Sequence, residues 1–328
     1  MRTPKFWRGG PSFIAALLAP LGIGYRAGNA LRRRFVKPWR APVPVICVGG
    51  IVAGGSGKTP AAIALVEFLK RAEIRPHVIS RGYGGSLAKE RAARRVDPTR
   101  HTASEAGDEA LLLAAHAPTW VCRDRQEAAR AAHEAGADAL ILDDGFQDPS
   151  LVKDLSLLVV DGTYAFGNRR IIPAGPLRET VASGLGRADA VVLVGENISG
   201  VTASIPAAIP VLRAVIVPGE GSEQLAGRNV VAFAGIGQPE KFFRTLEELG
   251  CRIRARHEFA DHHRYEQREI EKLVAQAAQK EAVLVTTAKD AVRLPEELRA
   301  RVRVLPVTLA FRDEDALARL LAPLFVRS

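Results

Sequence analysis

Ala53-Gly54-Gly55-Ser56-Gly57-Lys58-Thr59 follows a short apolar run, Val43 to Val48, and precedes Pro60-Ala61-Ala62-Ile63-Ala64-Leu65-Val66-Glu67-Phe68-Leu69-Lys70. The first flank reads as a buried strand and the second as a helix. Strand, glycine-rich turn and helix together predict a phosphate-binding loop in an α/β fold. Gly54, Gly55 and Gly57, with Ser56 between them, let backbone N–H groups turn inward on an anion. The helix N-terminus adds its partial positive charge. Lys58 can reach β- and γ-phosphates, and Thr59 can place a hydroxyl on Mg²⁺. The expected ligand is a nucleoside triphosphate. One position departs from the strict pattern: Val52 stands where glycine is usual, five residues before Gly57.

At 328 residues the chain has room for two domains or one large α/β domain. Its 47% hydrophobic and 25% charged residues describe an ordinary globular protein. Cys47, Cys122 and Cys251 lie far apart and match neither a metal spacing nor a disulfide framework, which points to a reducing compartment.

Forty-six basic against 36 acidic residues give a formal charge of +10, which suits an anionic partner. Arg26, Arg32, Arg33, Arg34, Lys37 and Arg40 form one cluster, and Lys89, Arg91, Arg94, Arg95 and Arg100 a second. Neither is interleaved with aromatics as an RNA-reading motif would be, so nucleic acid is not the expected partner. The first cluster follows Phe13 to Tyr25, an apolar stretch interrupted by Pro20 and two glycines. That stretch is shorter than the roughly 20 residues needed to span a bilayer. It reads equally as an interfacial element on an anionic membrane and as a first helix packed on the domain with a solvated basic face.

Pro76 to Ser80, Thr119 to Cys122, Ala139 to Leu142, Leu155 to Asp161 and Ala190 to Val194 read as strands. Helices are expected from near Ser104 through Glu109 to Ala117, and from Arg125 to Glu134. Alternation of this kind predicts a mostly parallel sheet covered on both faces. Residues 196 to 224 lose the rhythm and read as a linker. A second pattern follows: strand Asn229 to Ala234, helix Pro239 to Leu249, helix Tyr265 to Gln279, strand Ala282 to Thr287, and a final helix Glu314 to Leu324. The domain division read from this is 1–222, carrying the phosphate loop and the N-terminal element, and 223–328, with the final helix able to pack back on the first domain.

Leu140-Ile141-Leu142-Asp143-Asp144 is an apolar strand ending in two acids, the form of the element that binds Mg²⁺ in phosphate-loop proteins. Gln147 follows closely enough to orient a substrate or water. Asp108 and Glu109 fall in the first turn of a predicted helix. An acid there stabilises the helix dipole, and Asp108 is also placed to accept a hydroxyl proton. Asp261-His262-His263 can form a proton-transfer pair or hold another carboxylate; no third ligand with metal spacing accompanies it. Arg81 and Arg178 lie in glycine-rich loops at predicted strand ends, where bidentate phosphate contacts are made.

Other motifs stand in a set order. They are Pro4-Lys5-Phe6-Trp7, Ser80-Arg81-Gly82-Tyr83-Gly84-Gly85, Gly107-Asp108-Glu109, Leu142-Asp143-Asp144-Gly145-Phe146-Gln147 and Gly167-Asn168. Pro173-Ala174-Gly175-Pro176-Leu177-Arg178-Glu179, Ala232 to Gly237, Phe259-Ala260-Asp261-His262-His263 and Thr287-Ala288-Lys289-Asp290-Ala291-Val292 complete them. With the phosphate loop they resemble the tetraacyldisaccharide 4'-kinases of lipid A biosynthesis, from residue 4 to about 293.

The resemblance implies two α/β/α domains joined by a flexible β linker, and transfer of the ATP γ-phosphate to the 4'-hydroxyl of a tetraacylated disaccharide 1-phosphate. It implies ATP held by residues 54–59 and Mg²⁺ held by Thr59, Asp143 and Asp144. Asp108 acts on the sugar hydroxyl with His262 as its partner, and Lys58 and Arg178 assist catalysis. Arg81, Glu109, Gln147 and Glu179 bind substrate. It further implies a monomeric, peripheral protein on the cytoplasmic face of the inner membrane. Departures from the family pattern are Gly50 for Asn, Val52 and Ala53, Ala288 for Glu, and Arg293 for Lys. A switch-type ATPase or GTPase, or a metallochaperone, is the competing reading. It accounts for Lys58, Thr59 and Asp143 but not for Asp108, His262 or the apolar N-terminus.

Overall fold

A computed structural model describes residues 4–9 and 12–326. The backbone of the first basic cluster is described, but the side chains of Arg32 and Arg33 lie outside the described residues. Eight strands come first: β1 Val45–Gly49, β2 Pro76–Ser80, β3 Arg94–Val96, β4 Thr119–Val121, β5 Ala139–Asp143, β6 Leu155–Asp161, β7 Ala190–Val194 and β8 Val211–Pro218. Four more, β9 Asn229–Ala234, β10 Arg252–Glu258, β11 Val283–Thr287 and β12 Arg303–Leu305, make a separate sheet in the order β10-β9-β11-β12. The last, β13 Val307–Phe311, returns to the first sheet, whose order is β13-β8-β7-β6-β1-β5-β2-β4-β3. The fold is α/β, with a nine-stranded sheet parallel except at its two edges.

Burial on both faces explains the unbroken apolar strands. In β1, Ile46 and Val48 pack against Leu65, Val66 and Leu69 of the helix after the phosphate loop. Val45 and Cys47 point to the opposite face, toward Ala128, Ala129 and Ala132 of the helix Arg125–Glu134. In the second sheet Phe242, Phe243 and Leu246 cover one face, and Tyr265, Ile270 and Leu273 the other.

Residues 196–224 depart from the sequence reading, and the chain after Pro306 follows the return allowed for the final helix while bringing β13 with it. Residues 196–224 contain β8, which pairs with β7 and β13 and buries only Leu212 and Ala214 fully. So few inward residues leave no period to read. The expected linker is therefore strand-built here, with the second sheet emerging between β8 and β13. The chain after Pro306 does not stay with the second sheet. Leu309, Leu317 and Leu321 join the core of the first, and Arg71 pairs with Glu314.

Helix α1, Phe13–Phe35, touches the rest of the molecule through few residues. Gly22 is buried with a Cβ position 3.4 Å from Ile171, and Arg170 donates to the Ala15 carbonyl at 3.2 Å. Phe13 (82% exposed), Leu17 (68%) and Leu21 (61%) recur every four residues as an outward apolar stripe. No helix among the described residues is long and apolar enough to cross a membrane.

Candidate active site

Sheet register brings the chemistry together. Val48 of β1 lies beside Asp143 of β5, and Ile79 of β2 beside Leu142. The phosphate loop, the two acids and Ser80-Arg81 therefore leave the same edge of the sheet, where parallel sheets bind ligands. The loop ends at Gly57, whose φ of 88° caps α2, Lys58–Arg71, and favours glycine. The first turn of α2 carries no acidic residue, so its positive end is not neutralised from within. Ser56 Oγ is buried with no hydrogen-bond partner. Lys58 Nζ folds back 3.2 Å from the Gly54 carbonyl and lies 3.9 Å from Asp144 Oδ1. Val52 occupies its unusual position because the backbone there is paired: Val52 bridges Leu177, and Ala53 N–H donates to the Pro176 carbonyl at 2.8 Å. A glycine's freedom is not required in such an extended segment.

Asp143 and Asp144 face different fates. Asp143 is 2% exposed, receives a long 3.5 Å bond from Ser80 Oγ, and keeps Oδ1 unpartnered. Burial first, then the Glu109 and Asp144 charges, push its carboxyl well above the usual range. For Asp144, burial also pushes upward, but the Lys58 and Arg178 cations outweigh it and hold the carboxyl low. Arg178 Nη1 reaches both Asp144 oxygens, at 2.9 and 2.7 Å. Asp144 sits at φ 45°, uncommon for a residue with a side chain.

Three cations hold the turn that carries these acids. Arg125 donates to the Asp143 carbonyl (3.0 Å), Lys153 to that of Gly145 (2.7 Å) and Arg187 to that of Phe146 (2.8 Å). None has a sequence signature, because each acts on backbone carbonyls. Gln147 and Glu179 are turned inward. Gln147 donates to Gly50 O and to Glu179 Oε1, and Glu179 also pairs with Arg187 and accepts from Ser183. Arg81 is exposed and makes no direct hydrogen bond or ion pair among the described residues.

Asp108 opens α4, Asp108–Ala114, which follows α3, Ala103–Ala106, after a break at Gly107. Gly107 has φ 86°, and a Cβ there would meet the Tyr83 carbonyl at 2.8 Å. The single helix expected from Ser104 is broken for that reason. The break aims Asp108 across to the second sheet. Its Oδ2 lies 3.0 Å from His262 Nδ1 and 3.0 Å from Arg293 Nε. Burial would raise the Asp108 carboxyl; the His262 hydrogen bond and then the Lys289 and Arg293 cations bring it down to about 2. Lys289 Nζ bridges His262 Nε2 and Glu109 Oε1, 3.3 Å from each. On the other side of the cleft Asp161, at the end of β6, pairs with Lys241, and Gln238 lies between Asp161 (3.2 Å) and the Gly55 carbonyl (3.4 Å). The sequence reading assigned roles to Asp108 and His262 but none to Lys289, Arg293, Lys241 or Asp161. Their signal is a charge facing an opposite charge some 80 to 185 positions away, and no local pattern carries it.

The residues present suit a Mg²⁺–triphosphate. Two buried oxygens have no hydrogen-bond partner: Ser56 Oγ in the loop that opens α2, and Asp143 Oδ1 at the end of β5, where the Lys58 charge acts on it. No cluster of three or more acid, His or Cys side chains suited to a metal occurs among the described residues. Magnesium in such sites takes one or two carboxylates and leaves the rest of its shell to phosphate and water.

Comparison with known proteins agrees with this geometry. The profile of the Tetraacyldisaccharide-1-P 4'-kinase family matches residues 14–325. The Tetraacyldisaccharide 4'-kinase of Rhodospirillum centenum is 53% identical over 99% of this chain and 97% of its own length. That of Paramagnetospirillum magneticum is 53% identical over 100% of this chain and 98% of its own. Among solved structures, the "apo" form of LpxK from Aquifex aeolicus in complex with ATP superposes with a TM-score of 0.76 at 28% identity, covering 95% of this chain and all of that one.

Proposed function

We infer the workings of the site from one premise: this chain belongs to the Tetraacyldisaccharide-1-P 4'-kinase family. It is an ATP-dependent kinase of lipid A biosynthesis that phosphorylates the 4'-hydroxyl of a tetraacyldisaccharide 1-phosphate. The observation that carries the site assignment is the pair of buried, unpartnered oxygens, Ser56 Oγ before α2 and Asp143 Oδ1 at the end of β5.

In this reading residues 54–59 hold the triphosphate, with Lys58 on its outer phosphates. Thr59 and Asp143 hold Mg²⁺, and Asp144 steers Lys58 and Arg178 toward the transferred group. The bound metal and triphosphate supply the electrophilic phosphorus and neutralise the charge on it. The acceptor oxygen forms the new bond to that phosphorus, the bond to the bridging oxygen breaks, and the hydroxyl proton passes to the Asp108–His262 pair. Arg81, exposed just after β2, takes a substrate phosphate, and Glu109 borders the acceptor. Gln147 and Glu179, bonded to each other and through Gln147 to Gly50, hold the loop and border the substrate. Two α/β/α domains, split near residue 222 with 307–326 returning to the first, bring Asp108 and His262 together on closing.

A transfer assay with γ-labelled ATP and the disaccharide lipid in micelles tests this. Label is expected in the lipid with wild type and about a thousandfold less with Lys58→Ala, in the range for losing a key charge-stabilising contact. ATP hydrolysis without labelled lipid would favour the switch-type ATPase instead.

The α1 stripe supports a peripheral position on the inner-membrane face, because the acceptor carries acyl chains and Phe13, Leu17 and Leu21 present exposed apolar side chains along one side of a helix. Phe13→Ser/Leu17→Ser/Leu21→Ser is expected to weaken binding to anionic vesicles by about 100-fold or more, since each side chain buries roughly 1.5–3 kcal/mol of apolar surface when fully inserted. Its thermal midpoint should stay within about 2 °C of wild type, as these positions are exposed. Equal co-sedimentation of the two proteins would refute the interfacial role.

A further inference from the structure

Arg293 joins the two sheets at the point where the proton is handled. Its guanidinium is anchored on the second sheet: Nη1 donates to the Gly235 carbonyl at 3.1 Å and to Asp290 Oδ1 at 3.2 Å. Asp290 is fully buried and also accepts from Tyr265 Oη (2.7 Å), Gly235 N–H (3.0 Å) and Thr287 Oγ1 (2.6 Å). That mesh leaves the guanidinium little freedom. Nε then reaches out of the second sheet to Asp108 Oδ2, and both side chains are 6% exposed. The preceding residue, Val292, packs on the first-sheet cluster of Val96, Ala106, Ala110, Leu111 and Val121. An apolar plug and a buried ion pair thus lie side by side between the two sheets.

Asp108 Oδ2 also faces His262 Nδ1. Lys289 can only donate, so its contact with His262 Nε2 makes that nitrogen the acceptor and leaves the proton on Nδ1. Asp108 therefore orients the His262 imidazole, and Arg293 fixes the oxygen through which it does so. We propose that Arg293 is a positioning residue for phosphoryl transfer, delivered by closure of the second sheet, which fixes Asp108 as an ionised carboxylate and through it the orientation of His262. This rests on the roles inferred above for Asp108 and His262.

The groups facing Asp108 decide what removing Arg293 does. From α4 comes Glu109; from the loop after β10 come Asp261 and His262; from the turn after β11 come Lys289 and Asp290. With Arg293 gone, burial acts against the Asp108 charge, opposed by the His262 hydrogen bond, the Lys289 cation and the Glu109 N–H.

The test is carboxyl ¹³C NMR of the full chain labelled at Asp, between pH 4 and 8, without substrate, with Asp108→Asn supplying the assignment. In wild type the Asp108 carbon stays at its ionised position throughout. In Arg293→Met it is expected to titrate inside that window, and in Arg293→Lys to stay ionised. Should Arg293→Met not fold, Arg293→Gln, which keeps a donor but no charge, is expected to show the same titration. In the transfer assay the acidic limb of kcat/KM is expected to move up by the same interval in the uncharged variants, about tenfold in rate per unit on its lower side, and to return with Lys. A folded uncharged variant whose Asp108 carbon does not titrate between pH 4 and 8 would overturn the proposal. So would a loss of rate that is uniform across pH. Because the NMR arm uses no substrate, it remains readable if the kinase roles of Asp108 and His262 prove wrong.

Discussion

Asp108→Asn is expected to lower the rate of phosphoryl transfer by about 10²- to 10⁴-fold, the range for losing a positioned acid–base group. ATP affinity should change by less than about threefold, because a neutral amide leaves the phosphate loop untouched. Asp108 is bonded to His262, Arg293 and the Glu109 N–H, and to no residue of 53–59 among the described residues. Asparagine keeps the shape of the carboxylate and one acceptor oxygen. It removes the negative charge that faces Arg293 and His262 and leaves one acceptor oxygen where the carboxylate has two. Arg293 keeps Asp290 as a charged partner, so losing the Asp108 charge costs less than the roughly 3–5 kcal/mol of a buried pair broken outright. The contact lies between the sheets, so that cost should appear as poorer closure before it appears as global unfolding. Single-turnover transfer at saturating ATP, with a parallel ATP titration, separates the two effects. Transfer within about threefold of wild type would remove Asp108 from the chemistry.

Local sequence made the nucleotide half of this site readable because each part is a short-range pattern. Gly54 to Thr59 is a turn that must adopt positive φ, and the apolar run ending in Asp143-Asp144 is a strand that must be buried on both faces. Such constraints act between neighbours in the chain. The long-range half was not readable in the same way. Arg293 meets Asp108 across 185 positions, and Lys241 meets Asp161 across 80. Nothing near Arg293 distinguishes it from a solvated arginine. The family resemblance supplied the pairing of Asp108 with His262, not any periodicity. Elements were missed where burial is partial. β10 runs Arg252-Ile253-Arg254-Ala255-Arg256-His257-Glu258, an edge strand with arginines on one side and half-buried residues on the other. β8 and β13 sit at the rim of the large sheet and carry too few inward residues for a period to emerge. The inward orientation of Gln147 and Glu179 was equally invisible, because a polar residue beside a catalytic motif looks the same whether it serves the ligand or the loop.

Asp143→Asn is expected to separate stability from activity in opposite directions. Asp143 Oδ1 is buried without a partner, Oδ2 has only a 3.5 Å contact with Ser80, and the Glu109 and Asp144 charges lie close enough to repel. The nearby cations are committed elsewhere: Arg178 to Asp144, and Arg125 to the Asp143 and Asp144 carbonyls. A carboxylate so placed is a strain on the metal-free fold and has its reward only when a cation binds. Asparagine fills the same volume without the charge. In the absence of metal and nucleotide the variant should be more stable than wild type by about 1–3 kcal/mol, the scale of an unsatisfied buried polar group. For a chain of this size that is roughly 2–4 °C in Tm per kcal/mol. Transfer should fall about 10²- to 10³-fold, as for other lost charge-stabilising groups, and the Mg²⁺ concentration giving half-maximal rate should rise. Calorimetry with and without Mg²⁺–ATP makes the case quantitative. Wild type should gain more from ligand than the variant does, because only wild type has a carboxyl whose ionisation, opposed by burial, a bound cation favours. A variant less stable than wild type without ligand, or one with an unchanged Mg²⁺ requirement, would show that Asp143 is held by the fold for its own sake and not for the cation.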